Sequence, residues 1–131
     1  MKLTDETNAA TLLVRSYAAN EVRVGETVLR QSFLICASQL VADWRPQRIE
    51  DLSIEDIDSI VALDPEIVIL GSGAKQRFPE TRWLANLLSR GIGCEVMDTG
   101  AACRTYNVLV SEDRKVVGAL MIEQRGDEVM R

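Results

Sequence analysis

Between Leu12 and Leu29 apolar and polar residues alternate, as LLVRSYAA and then EVRVGETVL, on either side of Ala19-Asn20. Side chains of a strand point alternately to its two faces, so a period of two predicts the paired strands of a half-buried hairpin. SFLICA reads as a short apolar strand and QLVADW as another, closed at Trp44-Arg45-Pro46 because proline restricts the residue before it. After Pro46 the period changes. Ser53 followed by Asp56 has the form of a capping box with Asp in place of Glu, and Ile54, Ile57 and Val61 fall on one helical face. EIVIL, residues 66–70, is continuously apolar, as suits a strand buried on both faces.

Pro79 then stands where a helix begins, Trp83, Leu84, Leu87 and Leu88 give it an apolar stripe, and Gly91 stops it. CEVM is a strand, Asp98-Thr99-Gly100 a helix cap, AACRTYNVLV a second helix with a weak Val-Leu-Val end, and KVVGALMIE a final strand. Strand, helix, strand, helix, strand from Glu66 onward predicts a parallel or mixed sheet. With the strands before it, the chain reads as an α/β domain with an antiparallel N-terminal β layer. No repeat or linker divides it, so residues 1–131 are expected to form one domain, with 1–10 and 126–131 as frayed ends.

Composition narrows the function. A net charge of -5 argues against a nucleic-acid partner, which needs a basic face to neutralise phosphates. The chain has no histidine, which removes every His-dependent triad, and its three cysteines lack CxxC spacing, so neither a structural zinc site nor a haem attachment is expected. Reduced thiols, a polar acidic N-terminus and the lack of a long apolar run together predict a cytoplasmic protein that does not insert into a membrane by itself.

VILGSGAKQRFPE, residues 68–80, has the outline of a phosphate loop. Yet a dinucleotide loop opens directly into its helix, whereas here the expected helix start lies several residues past Gly73, and Gln76 stands where GxGxxG has its third glycine. Gly71 and Gly73 read better as a tight turn at a close approach of backbone. If the strands are parallel, this loop and the one at Asp98 open on the same edge, where α/β sheets place their ligands. Arg104 and Asn107 can there bind a carboxylate or phosphate, with the Ser72 and Gly73 amides as further donors. Equally, Arg104 can tie the two loops together or pair with Asp98. Cys103 is either the one available nucleophile, beside Arg104 near a helix start, or a small buried residue. The acidic EDLSIEDID run reads as a solvated helix face rather than a metal site.

The glycine loop ending in Phe-Pro, together with GIGCEVMDTGAACRTYNVLVSEDRKVVGALM, resembles a widespread family of domains of unknown function. Its members include bacterial proteins, an adipogenesis-associated Mth-type domain protein and the mitochondrial respiratory complex I assembly factor 3. The resemblance covers nearly the whole chain and implies a compact three-layer β/β/α domain. It implies no reaction and no cofactor. It points to a non-enzymatic assembly or accessory factor with protein partners, respiratory-complex or other membrane-assembly components among them. The chain lacks the mitochondrial branch's targeting extension, as expected of a bacterial form. A shared site should lie among the matching residues, with Gly71, Ser72, Gly73, Phe78, Asp98, Thr99, Arg104 and Asn107 as the binding candidates. The alternative is a small anionic ligand, bound or weakly turned over, in the crevice between Gly71–Phe78 and Asp98–Asn107.

Overall fold

The structure, a computed structural model, describes residues 11–18 and 20–123. The expected frayed ends and Ala19 of the expected hairpin turn lie outside these residues. The alternating N-terminal segment forms β1 (Val14–Ala18), β2 (Glu21–Val24) and β3 (Thr27–Leu29), an antiparallel sheet in that order. EVRVGETVL is therefore two strands, not the single strand its alternation suggested. The two-residue turn Gly25-Glu26 divides them, with Gly25 at a φ of 56° that glycine adopts without strain.

β4 (Phe33–Ile35) and β5 (Leu40–Val41) follow, then a 3-10 turn (Ile49–Asp51) and α1 (Ile54–Val61). The order continues as β6 (Ile67–Gly71), α2 (Thr81–Ser89), β7 (Gly93–Met97), α3 (Thr99–Ser111) and β8 (Val116–Leu120). These strands build a five-stranded mixed sheet, β5-β4-β8-β6-β7, in which β6 runs parallel to both β7 and β8, and β4 antiparallel to β5 and β8. QLVADW contributes only Leu40–Val41 to it.

The period-two pattern divides the large sheet between two cores. Leu34, Val68, Leu70, Val117 and Ala119 face α1 and α2, which cover them with Ile57, Ile60 and Leu87. Phe33, Ile35, Ile69, Val116 and Leu120 face the other way, against Ala102, Tyr106 and Val110 of α3 and against Val14, Val22, Val24 and Leu29 of the small sheet. Three layers result, as expected, with α3 sharing its layer with the small sheet.

Local signals set the helix ends. The Ser53/Asp56 capping box of α1 is formed in both directions. Asp56 is nonetheless 4% exposed, so the acidic run is not wholly a solvated face. Its Oδ2 accepts hydrogen bonds from Ser53 N (2.9 Å), Ser53 Oγ (3.0 Å) and Arg45 Nη2 (2.6 Å). α2 begins at Thr81 rather than Pro79, because Glu80 takes the N-cap place and leaves Pro79 buried before it. It ends as expected at Gly91, whose φ of 79° suits glycine after a helix. α3 continues through its Val-Leu-Val end, since Val110 is buried in the core.

Candidate functional site

The register Gly71↔Met97 brings the carboxyl ends of β6 and β7 side by side, so the glycine loop and the start of α3 meet on one edge. Contact there is close enough to require glycine. A Cβ on Gly71 would lie 2.9 Å from Thr99 Oγ1 and 3.0 Å from Thr99 Cα. Gly73 has a φ of 104°, and a Cβ there would meet the Glu123 carboxylate at 3.1 Å.

Hydrogen bonds fasten the two loops together. Gly73 N donates to Thr99 Oγ1 (2.8 Å), whose hydroxyl donates to Met121 O (2.7 Å) at the end of β8. Thr99 N in turn donates to Gly73 O (2.8 Å). Ser72 is fully buried, its N donates to Met97 O (2.9 Å), and its Oγ donates to Lys75 O (2.7 Å) and accepts from Arg77 N (2.9 Å). Asp98 caps α3 by accepting from Ala101 N (2.9 Å). The two amides considered as anion donors, Ser72 and Gly73, are thus engaged within the protein. Arg77 is engaged as well, 3.3 Å from Glu50 and 3.7 Å from Glu123.

Thr99, not Arg104, makes the tie between the loops. Arg104 is exposed, and among the described residues no group forms a hydrogen bond or ion pair with it, Asp98 included. Among the binding candidates Phe78 is the other whose side chain faces outward, at 65% exposure. Asn107 is turned to a structural use. Its Nδ2 donates to Val14 O (2.8 Å) while its Oδ1 accepts from Val14 N (2.9 Å), so one carboxamide meets the edge of β1 as a neighbouring peptide group would. Tyr106, fully buried, donates from its hydroxyl to Leu12 O (2.8 Å). Together these two residues hold the start of β1 against α3.

Cys103 is 3% exposed, and burial pushes its thiol up to about 12 although the Arg104 guanidinium pulls the other way. A thiol held protonated is a poor nucleophile, so the packing reading of Cys103 prevails. Tyr17 was not singled out in the sequence. Its ring lies against Gly100, where a Cβ would come within 3.1 Å, and burial raises its hydroxyl's pKa with help from Cys103, Asp98 and Glu123. The placement of Glu123 over Gly73 also escaped sequence reasoning, because nothing local links a residue after the last strand to a loop fifty positions earlier. A cleft of about 330 Å³ opens elsewhere, at the amino ends of β6 and β8, lined by Cys36, Leu63, Val110 and Arg114 among others. Among the described residues no helix is long and apolar enough to cross a membrane.

A family described as "Protein of unknown function (DUF498/DUF598)" matches residues 14–121. The chain is 36% identical over 83 residues to NADH dehydrogenase (ubiquinone) 1 alpha subcomplex assembly factor 3 of Danio rerio, covering 62% of this chain and 48% of that protein. It thus spans about half the length of the assembly-factor relatives it matches. It is 26% identical over 117 residues to the 13 kDa major membrane protein of Francisella tularensis, covering 88% of this chain and 95% of that one. The NMR structure of a Xanthomonas campestris protein, 40% identical, superposes with a TM-score of 0.78 over 86% of this chain and 85% of its own.

Proposed function

The chain belongs to the DUF498/DUF598 family of proteins of unknown function, and from that membership we propose that it is a non-enzymatic assembly or accessory factor for a membrane-associated complex, with respiratory complex I the first candidate. The similarity to assembly factor 3 supports the class of role. One observation carries it to this site. The polar groups of Ser72, Gly73 and Thr99 are consumed within and between the two motif loops, while the side chains of the candidates Phe78 and Arg104 are left facing solvent. Such an edge offers side chains to a partner rather than donors to a substrate.

In-cell cross-linking of the tagged chain, read by mass spectrometry beside the Phe78→Ala, Arg104→Ala double variant, tests the reading. Subunits of a membrane complex should be recovered with the parent chain and lost with the variant. Deleting the gene should lower the amount of that assembled complex on native gels. Normal assembly of every respiratory complex in the deletion strain would refute the complex I version. Binding of a small anion is the second reading, and what favours it is the unpaired guanidinium of Arg104. It predicts that phosphate or a carboxylate metabolite shifts the amide resonances of the Gly71–Phe78 loop and of α3 together.

A further inference from the structure

We infer that the outer edge of β7 is a guarded strand edge, which Gln76 and Glu95 keep from pairing with β7 of a second copy of the chain. The inference goes beyond the assembly-factor reading and stands or falls apart from it. An outer strand offers a row of backbone donors and acceptors to any other strand, so a chain that is to stay unpaired must blunt it. Three of the four outer strands in the two sheets are blunted visibly. β3 and β5 have three and two residues, and β1 carries a bulge between Val14 and Ser16 and is met by the Asn107 carboxamide. β7 is five residues long and in unbroken register with β6. Its edge needs another device.

The hydrogen bonds of β7 tell which of its groups face outward. Gly93 N donates to Glu66 O (3.2 Å) and Met97 O accepts from Ser72 N (2.9 Å), so Gly93, Glu95 and Met97 bond inward to β6. Direction alternates along a strand, which leaves the backbone groups of Cys94 and Val96 facing out. Both side chains are apolar and half-buried, as an incoming strand would favour. A second β7 laid antiparallel about a two-fold axis at Glu95 sets Val96 opposite Cys94 of the other copy, and the converse. This register pairs all five residues. It needs the Val96 C=O as an acceptor, and Gln76 Nε2 already donates to that oxygen (3.0 Å). It also brings the exposed Glu95 side chains of the two copies face to face in a closely spaced pair, where like charges are destabilising. Gln76 hangs from the glycine loop, which the bonds between Gly73 and Thr99 hold at the end of β7. A residue of the loop and a residue of the strand thus defeat the same register.

Sedimentation of the whole chain over a range of concentrations, with amide exchange read residue by residue, tests the guard. The parent chain should not pair along β7. Gln76→Ala with Glu95→Thr should form a dimer, its association at least about tenfold tighter than the parent's, with the Cys94 and Val96 amides newly slow to exchange. Unchanged amide spectra in β6 and β8 verify that the variant is folded. An exchange of charge checks the register. The Gln76→Ala chain and the chain with both Gln76→Ala and Glu95→Lys each repel their own kind, and mixing them should yield the heterodimer. A parent chain already paired along β7, or a double variant no more associated than the parent, would overturn the inference. So would a dimer whose protected amides lie outside β7, or a mixture no more associated than its parts.

Discussion

Thr99 shows how much can depend on one hydroxyl. Valine has nearly its shape, but Thr99→Val would leave Gly73 N–H and Met121 C=O unpaired in a site that is 1% exposed. The expected cost is about 2–4 kcal/mol, seen as a lower urea midpoint at unchanged slope, with Thr99→Ser recovering most of it. Gly71→Ala fails for a different reason, since its methyl group would press on the Thr99 backbone, which cannot rotate away. Both glycines were legible as close-approach positions. That they meet the segment after Asp98 was legible too, but not the group that holds them, because the Thr99 hydroxyl lies 26 residues along the chain. Arg104, for which a tie between the loops was one of the open readings, is too long and too well hydrated to displace a buried threonine.

The thiols set a pH limit at the same scale. Burial raises Cys94 and Cys103 from an ordinary 9.0 to about 12 in the folded protein. Over that interval the unfolded chain ionises first, so it binds fewer protons than the native state and stability falls as pH rises. Stability should be level with respect to these groups below about pH 8 and decline between about 9 and 12, by at most about 1.4 kcal/mol per pH unit for each thiol. Denaturant titrations of Cys103→Ala and Cys94→Ala across that range measure each share. An aromatic disulfide reagent should leave native Cys103 unmodified at about pH 8.

Among the elements, α1 depends on its first turn. Asp56→Ala removes the reciprocal cap and the partner of Arg45 together, while Arg45 itself stays in solvent. A loss of about 2–3 kcal/mol is expected, against about 1 for Ser53→Ala, by thermal or urea unfolding. The far helix ends behave oppositely. Asp64 and Asp113 follow α1 and α3 with φ of 57° and 63°, positions that glycine fills without strain. Asp113→Gly should therefore stabilise by about 0.5–1 kcal/mol, and Asp64→Gly by less because it gives up the exposed pair with Lys115. Ser53-x-x-Asp56 was readable because a capping box is local. The split between β2 and β3 was missed because Val24-Gly25-Glu26-Thr27 keeps the alternation unbroken through the turn, and only the glycine marks it. Pro79 misled for a similar reason: a proline suits the first turn of a helix, yet also the extended residue before the cap.

In the molecule as a whole, periodicity yielded the layers, since residues on both faces of β6 and β8 are buried and the small sheet is buried on one. Periodicity does not encode which strand lies beside which. That β8 stands between β4 and β6 follows from long-range pairing, to which no short window of sequence is sensitive. The join between small sheet and α3 was equally hidden, since Asn107 reads as an exposed polar helix residue until β1 arrives beside it. Asn107→Ala should loosen that join selectively, speeding hydrogen exchange in β1 to β3 while β6 and β8 stay protected.

The place of β8 has a consequence for how the protein is made. Synthesis runs from the N-terminal side, so β4 and the β6–β7 pair leave the ribosome with the gap between them unfilled, and α3 emerges with only part of the surface it covers. The final strand must enter the middle of the sheet rather than add to its rim. A nascent chain stopped before Val116 should remain open to protease at β4 and β6, and become resistant in a single step once Ile122 is free of the ribosome. Until then each growing copy exposes two strand edges to its neighbours on the same message, and translation speed through the α3–β8 segment becomes a determinant of yield.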